Sequence, residues 1–238
     1  MDRRFLGILG GVIIIFIAIF AISSHSSNSP SNSSSGGGTP TNHKIGSGKS
    51  SVTLIEYGDY ECPVCSEYFK PLQQVSTQFS DQIYFQFRNL PLSQIHLNAV
   101  SSARAAEAAG LQNKFWQMHD QLYANQDPTG ATGWVASKDP LNDFYVKYAS
   151  AIGLDINKFK TDYASDQVNN DINADLNAFL STPYVNHDTN KEATPSFFLD
   201  GKYIDNSQVI DSSGVSVTKF ASLINAEIAK KQPAKNGY

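Results

Sequence analysis

Two cysteines stand three residues apart in "GDYECPVCSEYF", Gly58 to Phe69, and the other 236 of the 238 residues include no third. Sulfurs so spaced come together when the residues between them form the first turn of a helix, and Pro63 suits that turn because its missing N–H is one a helix leaves unpaired there. The stretch before them, "SVTLIEYGDY", is β-branched and aromatic and ends on a Gly-Asp turn signal. Strand, short loop and helix are therefore expected in that order. The helix should begin near Cys62 and carry Tyr68, Phe69 and Leu72 to about Phe79.

Three chemistries compete for the pair. A zinc site needs two further ligands, and the five histidines, His25, His43, His96, His119 and His187, show no paired ligand spacing. A structural disulfide across three residues closes too small a loop to stabilise much. A redox couple fits best. At the helix cap, Cys62 faces unpaired amides near the positive end of the helix dipole, which favours thiolate and makes it the nucleophile. Cys65, one turn in and more shielded, suits the resolving role. Asp59, Glu61 and Glu67 read as a solvated acidic rim that opposes the thiolate slightly.

The compartment agrees with working thiols. Arg3 and Arg4 precede an uncharged apolar run from Phe5 to Ile22, long enough to cross a bilayer. Residues 1–22 read as a signal anchor that places the rest outside the cytoplasm. A cleavable signal is the alternative, since Ala21 and Ser23 would suit a peptidase. Residues 23–43 form a Ser/Gly/Asn/Pro tether with no apolar periodicity, reaching roughly 25 Å. With 18 basic and 22 acidic residues, a net charge of -4 and no basic stripe, nucleic acid is an unsuitable partner.

Residues 44–238 are enough for one folded domain. "IYFQFRNLPL" alternates as a strand does. Helical spacing then dominates about 93–182, through an Ala-rich segment, Phe115, Met118 and Leu122, a stripe from Leu141 to Ile152, a helix capped by Asp155, and a stripe from Val168 to Leu180. "TPSFFLDGKYI" has the composition of a hairpin turning at Asp200-Gly201, and Val217, Phe220, Ile224 and Ile228 mark a closing helix. His96, His119, Trp116 and Trp134 read as core or cap residues.

This order, with "EYGDYECPVC", the Thr194-Pro195 pair before "SFFLDGKYI" and the acid Glu56 six residues ahead of Cys62, resembles the DsbA-like thiol-disulfide oxidoreductases of the membrane-anchored bacterial type. The resemblance implies an α/β thioredoxin-like fold with a helical insertion. It implies that Glu56 is a buried acid beneath the cysteines, where burial would raise its pKa and let it pass protons to Cys65. A solvent-facing strand Glu is the alternative. It also implies that Pro195 is cis and faces the cysteines, with Thr194 offering its backbone to a client peptide. An ordinary trans proline opening a strand is the other reading.

The activity so implied is an extracytoplasmic enzyme that oxidises cysteines of unfolded or newly exported proteins through the Cys62-Cys65 disulfide. No cofactor or metal is required, and a quinone-linked membrane reoxidase is the implied partner. A reductase or isomerase is the alternative within enzymes, and a thioredoxin-fold binding or chaperone module the alternative outside them. Pro63 and Val64 tune the pair: Val64 brings no charge or proton, unlike the histidine at this position in the most oxidising relatives. Val64→His is accordingly expected to lower the Cys62 pKa and to make the disulfide more oxidising by roughly 30 mV, a tenfold change in the exchange equilibrium. Thiol titration and a glutathione equilibrium read the two effects.

Overall fold

The computed structural model describes residues 38–185 and 192–232. The expected anchor at 1–22, most of the 23–43 tether and part of the stretch before Thr194 lie outside those residues. Among the described residues, no helix is long and apolar enough to cross a membrane.

A parallel strand pair needs a crossover, and here the cysteine helix supplies it. Strand β2 (Thr53–Gly58) leads through the Cys62 turn into α1 (Pro63–Gln78), which returns to β3 (Tyr84–Asn89) parallel to β2. Strand β1 (His43–Gly46) adds antiparallel to the outer side of β3. On the other side β4 (Ser196–Leu199) runs antiparallel to β2, and β5 (Lys202–Ile204) pairs with β4, giving the order β1-β3-β2-β4-β5. The β4–β5 turn has positive φ at both Asp200 and Gly201, 53° and 79°, as a two-residue hairpin with the right strand twist requires. A small ribbon, β6 (Ile210–Asp211) and β7 (Gly214–Val215), precedes the last helix, α7 (Val217–Lys231).

Between β3 and β4 the chain makes a helical insertion. It consists of α2 (Ala99–Gly110), α3 (Phe115–Ala124), a π-turn at Leu141–Tyr145 continuing into α4 (Val146–Ala151), α5 (Ile156–Tyr163) and α6 (Asp166–Leu180). Its caps are local: Asp155 accepts from the Lys158 amide and Ser165 from the Val168 amide. Ala103, Ala105, Ala106, Ala108 and Ala109 are all buried on α2, and such small side chains let neighbouring helices come close.

Helix α1 is buried along two faces, which sets where its first turn sits. Cys65 and Phe69 pack with Met118, Tyr123, Trp134 and Tyr145 of the insertion, whereas Tyr68, Leu72 and Val75 pack with Phe197 on the sheet and with Phe220 and Ile224 of α7. Each large apolar side chain so buried contributes roughly 1.5–3 kcal/mol. Gly58 is required where β2 ends, because a Cβ there would lie 2.5 Å from the Phe87 ring.

The fold takes in residues just before Lys44. Thr41 donates from its amide and its hydroxyl to the two carboxyl oxygens of Asp175 on α6, each at 2.7 Å, and Asp175 also accepts from the Asn89 amide at 2.9 Å. Asn89 Nδ2 donates in turn to Glu107 at 2.6 Å, and His43 meets the same carboxylate at 2.8 Å. Burial holds the Asp175 pKa up at about 6, partly offset by the Asn89 and Thr41 donors. This network joins the start of the sheet to α2 and α6. Asp175→Ala strands several buried donors and is expected to cost about 2–4 kcal/mol in urea unfolding. Unchanged stability would show that the network does not hold the insertion to the sheet.

Candidate active site

Cys62 is the N-cap of α1, with extended backbone, and Pro63 occupies the first helical position. Both cysteines are free thiols, 6% and 0% exposed respectively. Three hydrogen bonds to backbone carbonyls anchor the turn: the Cys62 amide donates to the Asp59 carbonyl at 3.1 Å, and Gln126 Nε2 donates to the carbonyls of Tyr60 and Cys62 at 2.6 and 3.0 Å.

The sulfurs are electrostatically unlike. The Cys62 pKa is drawn down to about 6, first by the Cys65 thiol, which donates to its sulfur, then by Thr194 and by the amides of Cys65 and Val64; burial opposes them. Cys65 is pushed well above the ordinary thiol range, first by burial and then by Cys62 and Glu56. One thiol is thus set to ionise and the other to hold its proton.

Thr194-Pro195 is a cis peptide, and it lies against the cysteines. The Cys62 thiol donates to the Thr194 carbonyl across 3.4 Å, joining positions 132 residues apart in sequence. Thr194 Oγ1 is buried and has no partner while that thiol keeps its proton, so it is available to the thiolate. Val64 is 43% exposed beside the nucleophile and brings no charge.

Glu56 points into the protein rather than outward, at 3% exposure. Its pKa is pushed up to about 8, mainly by burial and secondarily by charge on Cys62. It is therefore largely a neutral acid at neutral pH, within electrostatic reach of both sulfurs.

The expected acidic rim is corrected by the structure. Only Glu67 is exposed; Asp59 and Glu61 are 1% and 9% exposed. Asp59 accepts from the amides of Glu61 and Leu92, both at 2.9 Å, and pairs with His96 Nδ1 at 2.7 Å. Glu61 accepts from the Asn98 amide. Both carboxylates go inward because the segment between β3 and α2 brings them donors, and buried carboxylates are tolerated on that condition. His96, read from sequence as a core or cap residue, is half of this clasp, and Asp59 and Cys62 are among the charges that raise its pKa. The sequence signal for it was an Asp in the turn before the cysteines, but nothing local named the partner. Gln126 carried no signal at all. Among the described residues, no group of three or more potential ligands is placed to hold a metal.

A thioredoxin family model matches residues 38–216. Among solved structures, oxidised BdbD from Bacillus subtilis superposes with a TM-score of 0.61 at 21% identity, covering 81% of this chain and 97% of that one. DsbA2 from Pseudomonas aeruginosa gives 0.54 at 23% identity, covering 79% and 96%. Among curated proteins, the Na(+)/H(+) antiporter NhaA 1 of Mycolicibacterium gilvum is 34% identical over 161 residues, 67% of this chain and 23% of that protein. The chain thus spans about a quarter of the length of the curated relatives it matches. A match of that extent brings none of their transport activity to this chain.

The raised pKa of Glu56 has a stability consequence. A carboxyl whose folded pKa lies above its ordinary 4.5 stabilises the fold fully below pH 4.5 and loses that contribution as pH rises through about 8. Reduced wild-type protein is therefore expected to lose up to roughly 1.4 kcal/mol per pH unit from this group across that range. Glu56→Gln removes the slope and should be the more stable protein at pH 8, as urea unfolding at stepped pH will read. Parallel profiles for the two would place Glu56 in a solvated environment.

Proposed function

The chain belongs to the thioredoxin family whose model it matches and has the fold of its DsbA-like members, and from that premise we propose that it oxidises cysteine pairs in unfolded or newly exported proteins. The observation that carries this reading is the asymmetry of the two thiols, with Cys62 held near 6 and Cys65 well above the ordinary range. A stabilised Cys62 thiolate favours the reduced enzyme, and a disulfide whose reduced form is favoured is an oxidant.

A client thiolate attacks Cys62 sulfur in the disulfide form; the S–S bond breaks, and Cys65 leaves with the electron pair and takes a proton from the Glu56 carboxyl. A second client thiolate then attacks the client sulfur of the mixed disulfide. Cys62 departs as thiolate, a good leaving group because its pKa is low. The client gains one disulfide and the enzyme is left reduced. The Thr194 backbone, in contact with Cys62, is the edge on which an extended client segment would lie.

The apolar run at 5–22 and the Ser/Gly tract after it support a membrane-anchored enzyme with its catalytic domain, from about residue 44, outside the cytoplasm. A quinone-linked membrane protein would return the cysteines to the disulfide. Redox titration of the full-length chain against glutathione tests the direction of flow: a potential above about -200 mV supports the oxidase, and one near -270 mV makes the protein a reductase. Cys65→Ser leaves Cys62 able to form mixed disulfides that its partner cannot clear. Client adducts removable by reducing agent are expected on gels, and their absence would favour a non-catalytic binding module.

A further inference from the structure

Glu56 must give up and regain a proton at every turnover, yet the client covers the Cys62 face while the mixed disulfide exists. The other side of Glu56 offers a route. Its side chain lines a cavity of about 370 Å³ bounded by α1, β3 and α3, with Phe69, Phe85, Trp116, His119 and Tyr123 among its walls. The polar side chains of Gln73, Ser76, Thr77 and Asp120 lie on the same cavity, and Thr77 is exposed. His119 is 5% exposed and packs against the rings of Tyr60, Phe69, Phe87, Trp116 and Tyr123. Its Nδ1 lies 3.0 Å from Asp120 Oδ1, and Asp120 is half exposed. Its Nε2 is buried and has no hydrogen-bond partner. Such an atom in a native fold calls for a reason.

We propose that His119 relays protons between Glu56 and solvent, taking or giving them at Nε2 through the cavity and exchanging them at Nδ1 with Asp120 at the surface. The inference rests on the disulfide-exchange reading above and deepens it. With Asp120 as its partner, neutral His119 carries the proton on Nδ1 and leaves the Nε2 lone pair open. When Cys65 leaves the disulfide and takes the Glu56 proton, neutral His119 in its Nε2–H tautomer makes the carboxylate whole through the cavity while its Nδ1 takes a proton from the Asp120 side, so that the ring ends in the Nδ1–H form of the free-thiol state. No electrons move in these transfers, and reoxidation runs them in reverse. The other groups facing His119 leave it able to cycle. Burial, helped by the charge of His43 on β1, holds its pKa below the ordinary imidazole value against the pull of Asp120, so the ring works between its two neutral tautomers, and Tyr60 and Tyr123 keep their protons because burial raises theirs well above the usual phenol range.

The test is single-turnover oxidation of a two-cysteine peptide by the oxidised full-length chain. His119→Phe keeps a ring in the aromatic cluster and removes the relay. The rate at pH 7 is expected to fall roughly tenfold or more, with the Cys62 titration unchanged and the rate restored as imidazole buffer is raised. In a Glu56→Gln background the same replacement should have no further effect. A wild-type rate and pH profile for H119F, or equal slowing in both backgrounds, overturns the relay. If H119F does not fold, the half-exposed Asp120 decides: D120N should slow the reaction and respond to imidazole, and a wild-type rate overturns the proposal. A wild-type chain that fails to oxidise the peptide at all rejects the disulfide-exchange reading itself, and the relay falls with it.

Discussion

The first turn of α1 presents backbone amides with no partner inside the helix, and Cys62 stands at the cap where those amides converge. The second sulfur belongs to the same turn but lies inside the core, so one helix start gives two thiols opposite environments. That difference holds only while the turn stays in place, and the burial of α1 against the insertion on one face and against the sheet and α7 on the other keeps it there. The reactivity of the pair is thus a product of packing as much as of the helix dipole.

The helical insertion is bound to the sheet by polar groups as well as by its apolar face. Asp59 and Glu61, in the turn before the nucleophile, are satisfied by groups from the β3–α2 segment, and Gln126, just after α3, holds the carbonyls of Tyr60 and Cys62. At the end of β3 itself, Asp175 and Glu107 collect Thr41, Asn89 and His43. Removing one member of such a network leaves the others buried without partners, so each contact restrains the position of the whole insertion. The cysteine turn therefore has its geometry set from a region distant in sequence.

Two buried acids near the cysteines have very different surroundings. Asp59 is surrounded by donors and a histidine, whereas Glu56 has burial and the charge of Cys62 acting on it, and its pKa rises to about 8. A carboxyl in that state can donate a proton near neutral pH, which a solvated glutamate does poorly. Glu56 also lines a cavity that His119 and Asp120 share.

The local signals in the sequence were sufficient where structure is local. Pro63 after Cys62, the apolar stripes of α6 and α7 and the Asp200-Gly201 turn were legible because caps, helical periodicity and two-residue turns are decided by residues a few positions apart. Strands β2 to β5 were legible too, whereas β1 and the β6–β7 ribbon were not, and Gln86, an alternate residue of β3, is buried where the pattern would set it outward, because its amide donates to the Thr41 carbonyl. The acidic turn was misread for a related reason: Asp59 and Glu61 look like solvated charges until the β3–α2 segment supplies their donors. Burial depends on everything packed around a residue, and at this site the distant partners lie from 33 to 132 positions away. Tertiary structure alone decided that Thr194 touches Cys62, that His96 clasps Asp59, and that Glu56 and His119 share a cavity, because only chain folding brings groups so distant in sequence together.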